Sequence, residues 1–186
     1  MGAPGGLSAR PVIRLATVAD SVPLGAIHVA AWREAYAGLL PASRLAALDA
    51  RERAAMWQGA IASGTARGVY VAEDRGVMIG FGACGHQRTP SLIGLGFSGE
   101  VTALYVLRAG QRRGAGRLLM RAMARRLIAE GERSLGLWVL RDNLPARRFY
   151  ERLEGVVIAS RGDWAATGEE AETAYGWRDL TRLMAT

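Results

Sequence analysis

The sequence predicts a mixed α/β (α+β) domain, a central sheet of about six to seven strands flanked by helices. Three observations predict it. Short runs rich in Val, Ile, Tyr and Phe alternate along the chain with segments of helical period. The strand-like run Glu100–Leu107 feeds a Gly- and Arg-rich turn and then an amphipathic helix over Gly114–Glu130. A second strand and helix, Leu135–Leu140 and Leu144–Leu153, follow directly.

The elements follow in chain order. Val12–Leu15 reads as a short strand. Asp20 precedes a helical pattern in which Leu24, Ile27, His28, Ala31, Trp32 and Ala35 recur at three- and four-residue spacing. Gly38 stops that helix, Pro41 opens a second helical region, and Arg51–Ala62 continues in helical style. Gly68–Glu73 and Val77–Cys84 read as strands joined by a hairpin turn at Asp74-Arg75-Gly76. Gln87–Gly99, rich in Gly, Ser and Pro, reads as a loop. In the helix after the turn, Ala115, Leu118, Leu119, Ala122, Met123 and Leu127 share one face, and Arg117, Arg121 and Arg125 another. Asp142 or Asn143 caps the next helix. Val156–Ala159 is a strand, Arg161–Glu170 a loop and Glu172–Leu180 a final strand.

The 186 residues favour one domain, with residues 1–10 a flexible lead and 11–186 the folded unit. The formal net charge is +7, and every basic residue is Arg, so the chain has no lysine of its own to modify. A basic surface suits a polyanionic partner. The arginines are dispersed and no nucleic-acid motif appears, which disfavours nucleic acid as that partner. No apolar run approaches the ~18 residues of a membrane helix, and the opening Met1–Gly6 is too polar for a signal peptide. No membrane partner is expected, and the default location is the cytoplasm. Cys84, the single cysteine, lies in an apolar run and is expected to be buried; with two distant histidines it makes no metal cluster.

The segment that carries chemistry is Val101–Arg117. The first amides of a helix lack internal partners, and the helix dipole favours an anion there. Gly114 and Gly116 let a ligand approach the backbone, and Arg112, Arg113 and Arg117 add cationic donors, so the turn reads as a pyrophosphate cradle. No Lys follows the glycines, which argues against Walker-type nucleotide chemistry, and the spacing is not a dinucleotide fingerprint either.

Gln111, Gly114 and Gly116, placed after a hydrophobic strand, resemble the coenzyme A motif Q/R-x-x-G-x-G/A of the GNAT acetyltransferase superfamily. Asn143, Ala146, Tyr150 and Gly155 resemble that family's second motif helix, and Trp32-Arg33-Glu34-Ala35-Tyr36 echoes its first helix. The resemblance runs from about residue 12 to residue 180 and implies the GNAT fold with acetyl-CoA as cofactor. It implies that backbone atoms of Leu104, Tyr105 and Val106 pair with the pantetheine arm. Arg112, Arg113, Gly114, Ala115, Gly116 and Arg117 would hold the pyrophosphate, and Asn143 would bond the arm. It casts Tyr150 as the acid that protonates the departing thiolate and Glu100 as a base for the attacking amine. In the ribosomal-protein branch a Glu stands five residues before the motif Asn; here Trp138 stands there, which weakens a protein N-terminal acetyltransferase reading. Trp32, Tyr36 and His86 are candidates for the acceptor pocket, and Trp164 for a cover over it. The implied reaction is direct acetyl transfer to a primary amine of a small molecule or peptide in a ternary complex. The alternative is a non-catalytic, coenzyme A-binding regulatory module. Members of the family are often homodimers, but no interface is legible in the sequence.

Overall fold

The structure, a computed structural model, describes residues 10–64, 68–162 and 170–185. The strands are β1 (Val12–Leu15), β2 (Gly68–Asp74), β3 (Val77–His86), β4 (Gly99–Val106), β5 (Leu135–Leu140), β6 (Val156–Arg161) and β7 (Glu172–Trp177). The helices are α1 (Ser21–Tyr36), α2 (Ala42–Ala46), α3 (Ala50–Ser63), α4 (Pro90–Gly94), α5 (Ala115–Ala129), α6 (Leu144–Arg152) and α7 (Arg182–Ala185). The strands make one seven-stranded sheet in the order β1-β2-β3-β4-β5-β7-β6.

Local chemistry accounts for most boundaries. Arg75 (φ 52°) and Gly76 (φ 78°) make the two-residue turn between β2 and β3, with both φ positive as a primed hairpin turn requires. Asp49 accepts from the amides of Arg51 and Glu52 at the start of α3. Asn143, one of the two expected caps, accepts from Ala146 N at 3.2 Å at the start of α6.

Strand alternation sorts the core onto two faces. On one face Val69, Val71, Phe81 and Ala83 meet Leu24, Ile27 and Trp57 of α1 and α3. On the other, Leu119, Met120, Met123 and Leu127 of α5 are fully buried against Leu135, Leu137, Tyr150 and Tyr175. Each such side chain contributes roughly 1.5–3 kcal/mol of burial.

Three expectations change. β3 continues to His86, because a bulge between Ala83 and Cys84 keeps it paired with β4 down to Gly99. The expected loop after it contains α4, opened by Pro90 behind an extended Thr89 and anchored by the buried Leu92. The last strand ends at Trp177; Leu180 beyond it is buried as part of the α5-side core.

One irregularity of the sheet positions the site. β4 and β5 run parallel but pair only at Gly99↔Leu135 and Glu100↔Gly136. Beyond Glu100 they part, leaving a gap in the middle of the sheet.

Candidate active site

The gap exposes backbone along β4. Leu107 N donates to Ile79 O of β3 at 2.9 Å, and antiparallel partners alternate in direction along the strand. Tyr105, opposite Phe81, is therefore turned towards β3. Leu104 and Val106 turn their peptide groups into the gap, and the Gln111 side chain reaches Val106 O there at 2.9 Å. Of the three positions expected along β4, Leu104 and Val106 therefore turn main-chain groups into the gap, while strand alternation turns the backbone of Tyr105 away from it.

At the end of β4 the chain turns into α5. Arg112 adopts φ 65° and Gly114 φ 85°. Left-handed backbone costs a non-glycine residue roughly 1–2 kcal/mol, a strain typical of ligand-binding turns. Leu118 N → Gly114 O, 3.0 Å, is the first full bond of the helix, so the amides of Ala115, Gly116 and Arg117 project from its start without a helical partner. No acidic residue stands in the first turn. Gly116 is also a packing residue, since a Cβ there would lie 3.2 Å from the Phe149 ring of α6. Arg112 and Arg117 are exposed and without an ion-pair partner among the described residues. Arg113 is instead paired with Asp74 at the end of β2, so its place in the cradle is taken up by holding the turn to the sheet. Open strand edge, unbonded helix amides and exposed guanidinium groups fit a long ligand ending in a pyrophosphate.

Tyr150 of α6 is 7 % exposed and packs against Phe149, Tyr175 and Trp177 at ring separations of 5.4, 5.8 and 6.1 Å. Its hydroxyl makes no hydrogen bond among the described residues. Burial, with a smaller contribution from Tyr36, pushes this phenol above its ordinary value. Asn143 is buried too, its side-chain oxygen committed to the cap.

A cleft of about 530 Å³ opens where β4 and β5 part. Trp32 and Tyr36 of α1, Tyr105 of β4 and Trp138 of β5 form its aromatic wall. The hydroxyls of Tyr36 and Tyr105 share a hydrogen bond of 2.9 Å. Burial raises both phenols, Tyr105 well above its ordinary value, so both are protonated at neutral pH. Glu100 also lines the cleft. Its carboxylate is held by Arg88, with Arg88 Nε at 2.9 Å from Oε2. Beneath the wall, His28 accepts from Trp57 Nε1 at 3.1 Å. Burial, and then the charge of Arg53, lower its pKa to about 4.

The structure thus gathers Trp32, Tyr36 and Glu100 in one cleft beside the gap. It does not bring His86 there. His86 lines a separate depression with Phe97 and Ile93 and pairs through Nδ1 with Glu132 at 2.5 Å, where the extended β3 sets it opposite Gly99, the first residue of β4. Trp164 lies outside the described residues. Sequence reasoning missed Arg88, Arg161 and Glu172 as cleft residues; they lie on separate elements, and no spacing signal connects them.

A sheet parted in its middle, a helix start with unbonded amides and an aromatic, ion-paired cleft beside the parting give the chain two adjoining ligand sites, one of them suited to a long ligand with an anionic end. The chain belongs to the GNAT family of acetyltransferases, whose family model matches residues 27–155. It is 32% identical over 172 residues to YuaI, an uncharacterised N-acetyltransferase of Bacillus subtilis, covering 92% of this chain and 95% of that one. The PaiA N-acetyltransferase of Thermoplasma acidophilum, solved with coenzyme A, shares the fold at a TM-score of 0.73 and 17% identity, over 90% of this chain and 98% of that one. YncA of Salmonella typhimurium, solved with acetyl-CoA, does so at 0.66 and 23%, over 92% and 95%. The protein is accordingly an acetyl-CoA-dependent acetyltransferase, and its gap and α5 start are suited to that cofactor. Among the described residues no helix is long and apolar enough to cross a membrane, and no cluster of His, Cys, Asp and Glu is arranged to hold a metal.

Proposed function

We propose that the enzyme passes the acetyl group directly to a primary amine while both substrates are bound. The observation that carries this reading is the meeting of the cleft with the gap between β4 and β5. An amine in the cleft lies beside the strand edge along which Leu104 and Val106 offer their main-chain groups. The cofactor supplies an acetyl thioester. A peptide N–H on that edge is placed to stabilise negative charge developing on the thioester oxygen. Ala115, Gly116 and Arg117 hold the pyrophosphate through their amides, with Arg112 and Arg117 adding charge, and Asn143 bonds the pantetheine arm. Glu100, oriented by Arg88, receives the proton that the ammonium must lose before attack. Tyr150 delivers a proton to the departing thiolate.

The single thiol supports direct transfer. Cys84 is 1 % exposed, and its burial, with Glu130 adding to the effect, pushes its pKa up to about 12. It is a poor nucleophile and a poor acyl carrier.

Initial rates test the reading. With acetyl-CoA and an accepted amine both varied, double-reciprocal lines are expected to intersect, and mass spectrometry to find one acetyl group on the amine. Parallel lines, or an acetylated enzyme, refute direct transfer. Saturable coenzyme A binding with no turnover of any amine favours the non-catalytic regulatory module instead.

A further inference from the structure

The charges of the cleft bear on what enters it. Its described lining residues include three arginines and three glutamates, and each glutamate is paired with an arginine: Glu100 with Arg88, Glu172 with Arg161, and Glu170 with Arg44. The formal charge of that lining is zero. A polycationic acceptor needs carboxylates free to receive it. Here it would have to break existing pairs and leave a guanidinium facing its own charge. An amine with no other charged group would bring one unmatched charge into a lining whose charges already balance. A ligand with one ammonium and one acidic group keeps every charge matched, its ammonium beside a carboxylate and its oxoanion beside a guanidinium.

Among the arginines of the cleft, Arg161 is held by both a carboxylate and an aromatic ring. Its Nε and Nη2 both lie on Glu172 Oε2, at 2.8 and 2.7 Å. Its guanidinium carbon stands 4.1 Å from the centroid of the Trp138 ring. One edge and one face of the group are thereby held, while Nη1 has no partner among the described residues. A guanidinium pinned in this way is pre-organised to bind an oxoanion, since little side-chain freedom is left to lose. Trp138 pairs with Ala174 and Glu172 with Leu140, two positions along the paired strands β5 and β7 and so on the same face, and Arg161 faces Glu172 across β6 and β7. The sheet itself builds the clamp.

We propose that the acyl acceptor is a small amine that also carries an oxoanion, an α-amino acid in the simplest case, and that Arg161 receives the acidic group. This rests on the amine-acceptor reading above. With the oxoanion on Arg161, the amine is left to the part of the cleft that holds Glu100, and Trp32 and Tyr36 cover the remainder of the molecule.

The test uses the full chain and thiol release from acetyl-CoA. The acceptors are the common α-amino acids, the amines left when their carboxylates are removed, spermidine, an aminoglycoside and a short peptide with a free N-terminus. A charged hydrogen-bonded contact of this kind sets the expected preference at about 10- to 100-fold in kcat/KM for the preferred amino acid over its decarboxylated partner. Arg161→Gln should raise the KM of that amino acid about tenfold and bring the matched pair close together, with Arg161→Lys restoring part of the difference. Melting temperature and acetyl-CoA affinity report whether each variant is folded, and the matched-pair comparison on the unaltered enzyme needs no variant. Preference for spermidine, the aminoglycoside or the peptide, or equal rates within each matched pair, overturns the inference while leaving amine acetylation standing. Intact acetyl-CoA binding with no amine accepted overturns both.

Discussion

Replacing Tyr150 with Phe removes one hydroxyl and leaves the rest of the site. The ring keeps its contacts with Phe149, Tyr175 and Trp177. The lost hydroxyl has no hydrogen-bond partner among the described residues, so the substitution breaks no bond among them, and stability should move by less than about 1 kcal/mol. For a chain of this length that is at most ~2–4 °C in Tm. The catalytic loss is separate. A positioned general acid contributes about 10²- to 10⁴-fold, or roughly 2.7–5.5 kcal/mol of barrier. Under saturation with both substrates, kcat is expected to fall at least about 100-fold, with the acetyl-CoA Kd from calorimetry within about twofold of its starting value. The pH dependence adds a second readout. Burial raises the Tyr150 pKa above 10, and an acid works only while it is protonated. Its loss is therefore displaced to higher pH, and kcat should show no fall from this group up to about pH 9. A Phe variant within about threefold of the original kcat refutes the proton-donor role, as does an equal loss in kcat and cofactor affinity, which would mark Tyr150 as a packing residue.

Three other perturbations probe the frame around the site. Asn143→Ala removes the cap on α6 and should cost about 1 kcal/mol in chemical unfolding; Asn143→Asp, which keeps an accepting oxygen, should recover most of it, and equal losses would exclude the capping role. His28 has a folded pKa of about 4 against an ordinary ~6.5. The unfolded chain binds the extra proton first as pH falls, so stability present above pH 6.5 is lost between there and pH 4, by up to about 3 kcal/mol. His28→Asn, which keeps an acceptor for Trp57, should flatten that part of the stability–pH curve, and an unchanged slope would assign the loss to other groups. Gly114→Ala meets no atom within 4 Å but must hold φ 85°. It should lower stability by roughly 1–2 kcal/mol and weaken acetyl-CoA binding about fivefold; unchanged melting and affinity would show that the turn does not depend on that conformation.

The sequence by itself determined what short-range physics controls. The strand at Glu100–Leu107, the glycine turn and the apolar stripe of α5 lie within one stretch of chain, where spacing, φ freedom and unbonded helix amides are set by neighbours. The same holds for the Asn143 cap and the Asp74-Arg75-Gly76 hairpin, and these carry the family and the cofactor. The tertiary structure alone decided the rest. Whether β4 and β5 stay paired depends on packing from both faces of the sheet, so the gap had no signature in either strand. The direction of Tyr105 followed from its register with Phe81, and the loss of His86 from the cleft followed from the bulge at Ala83 and Cys84. Arg88, Arg161, Glu172 and Trp138 come together because the order β4-β5-β7-β6 carries residues remote in the chain to one mouth of the sheet. The contacts proposed for the cofactor are largely with backbone, which a local motif can specify. The cleft is lined by side chains from separate elements, and only the fold sets the distances between them.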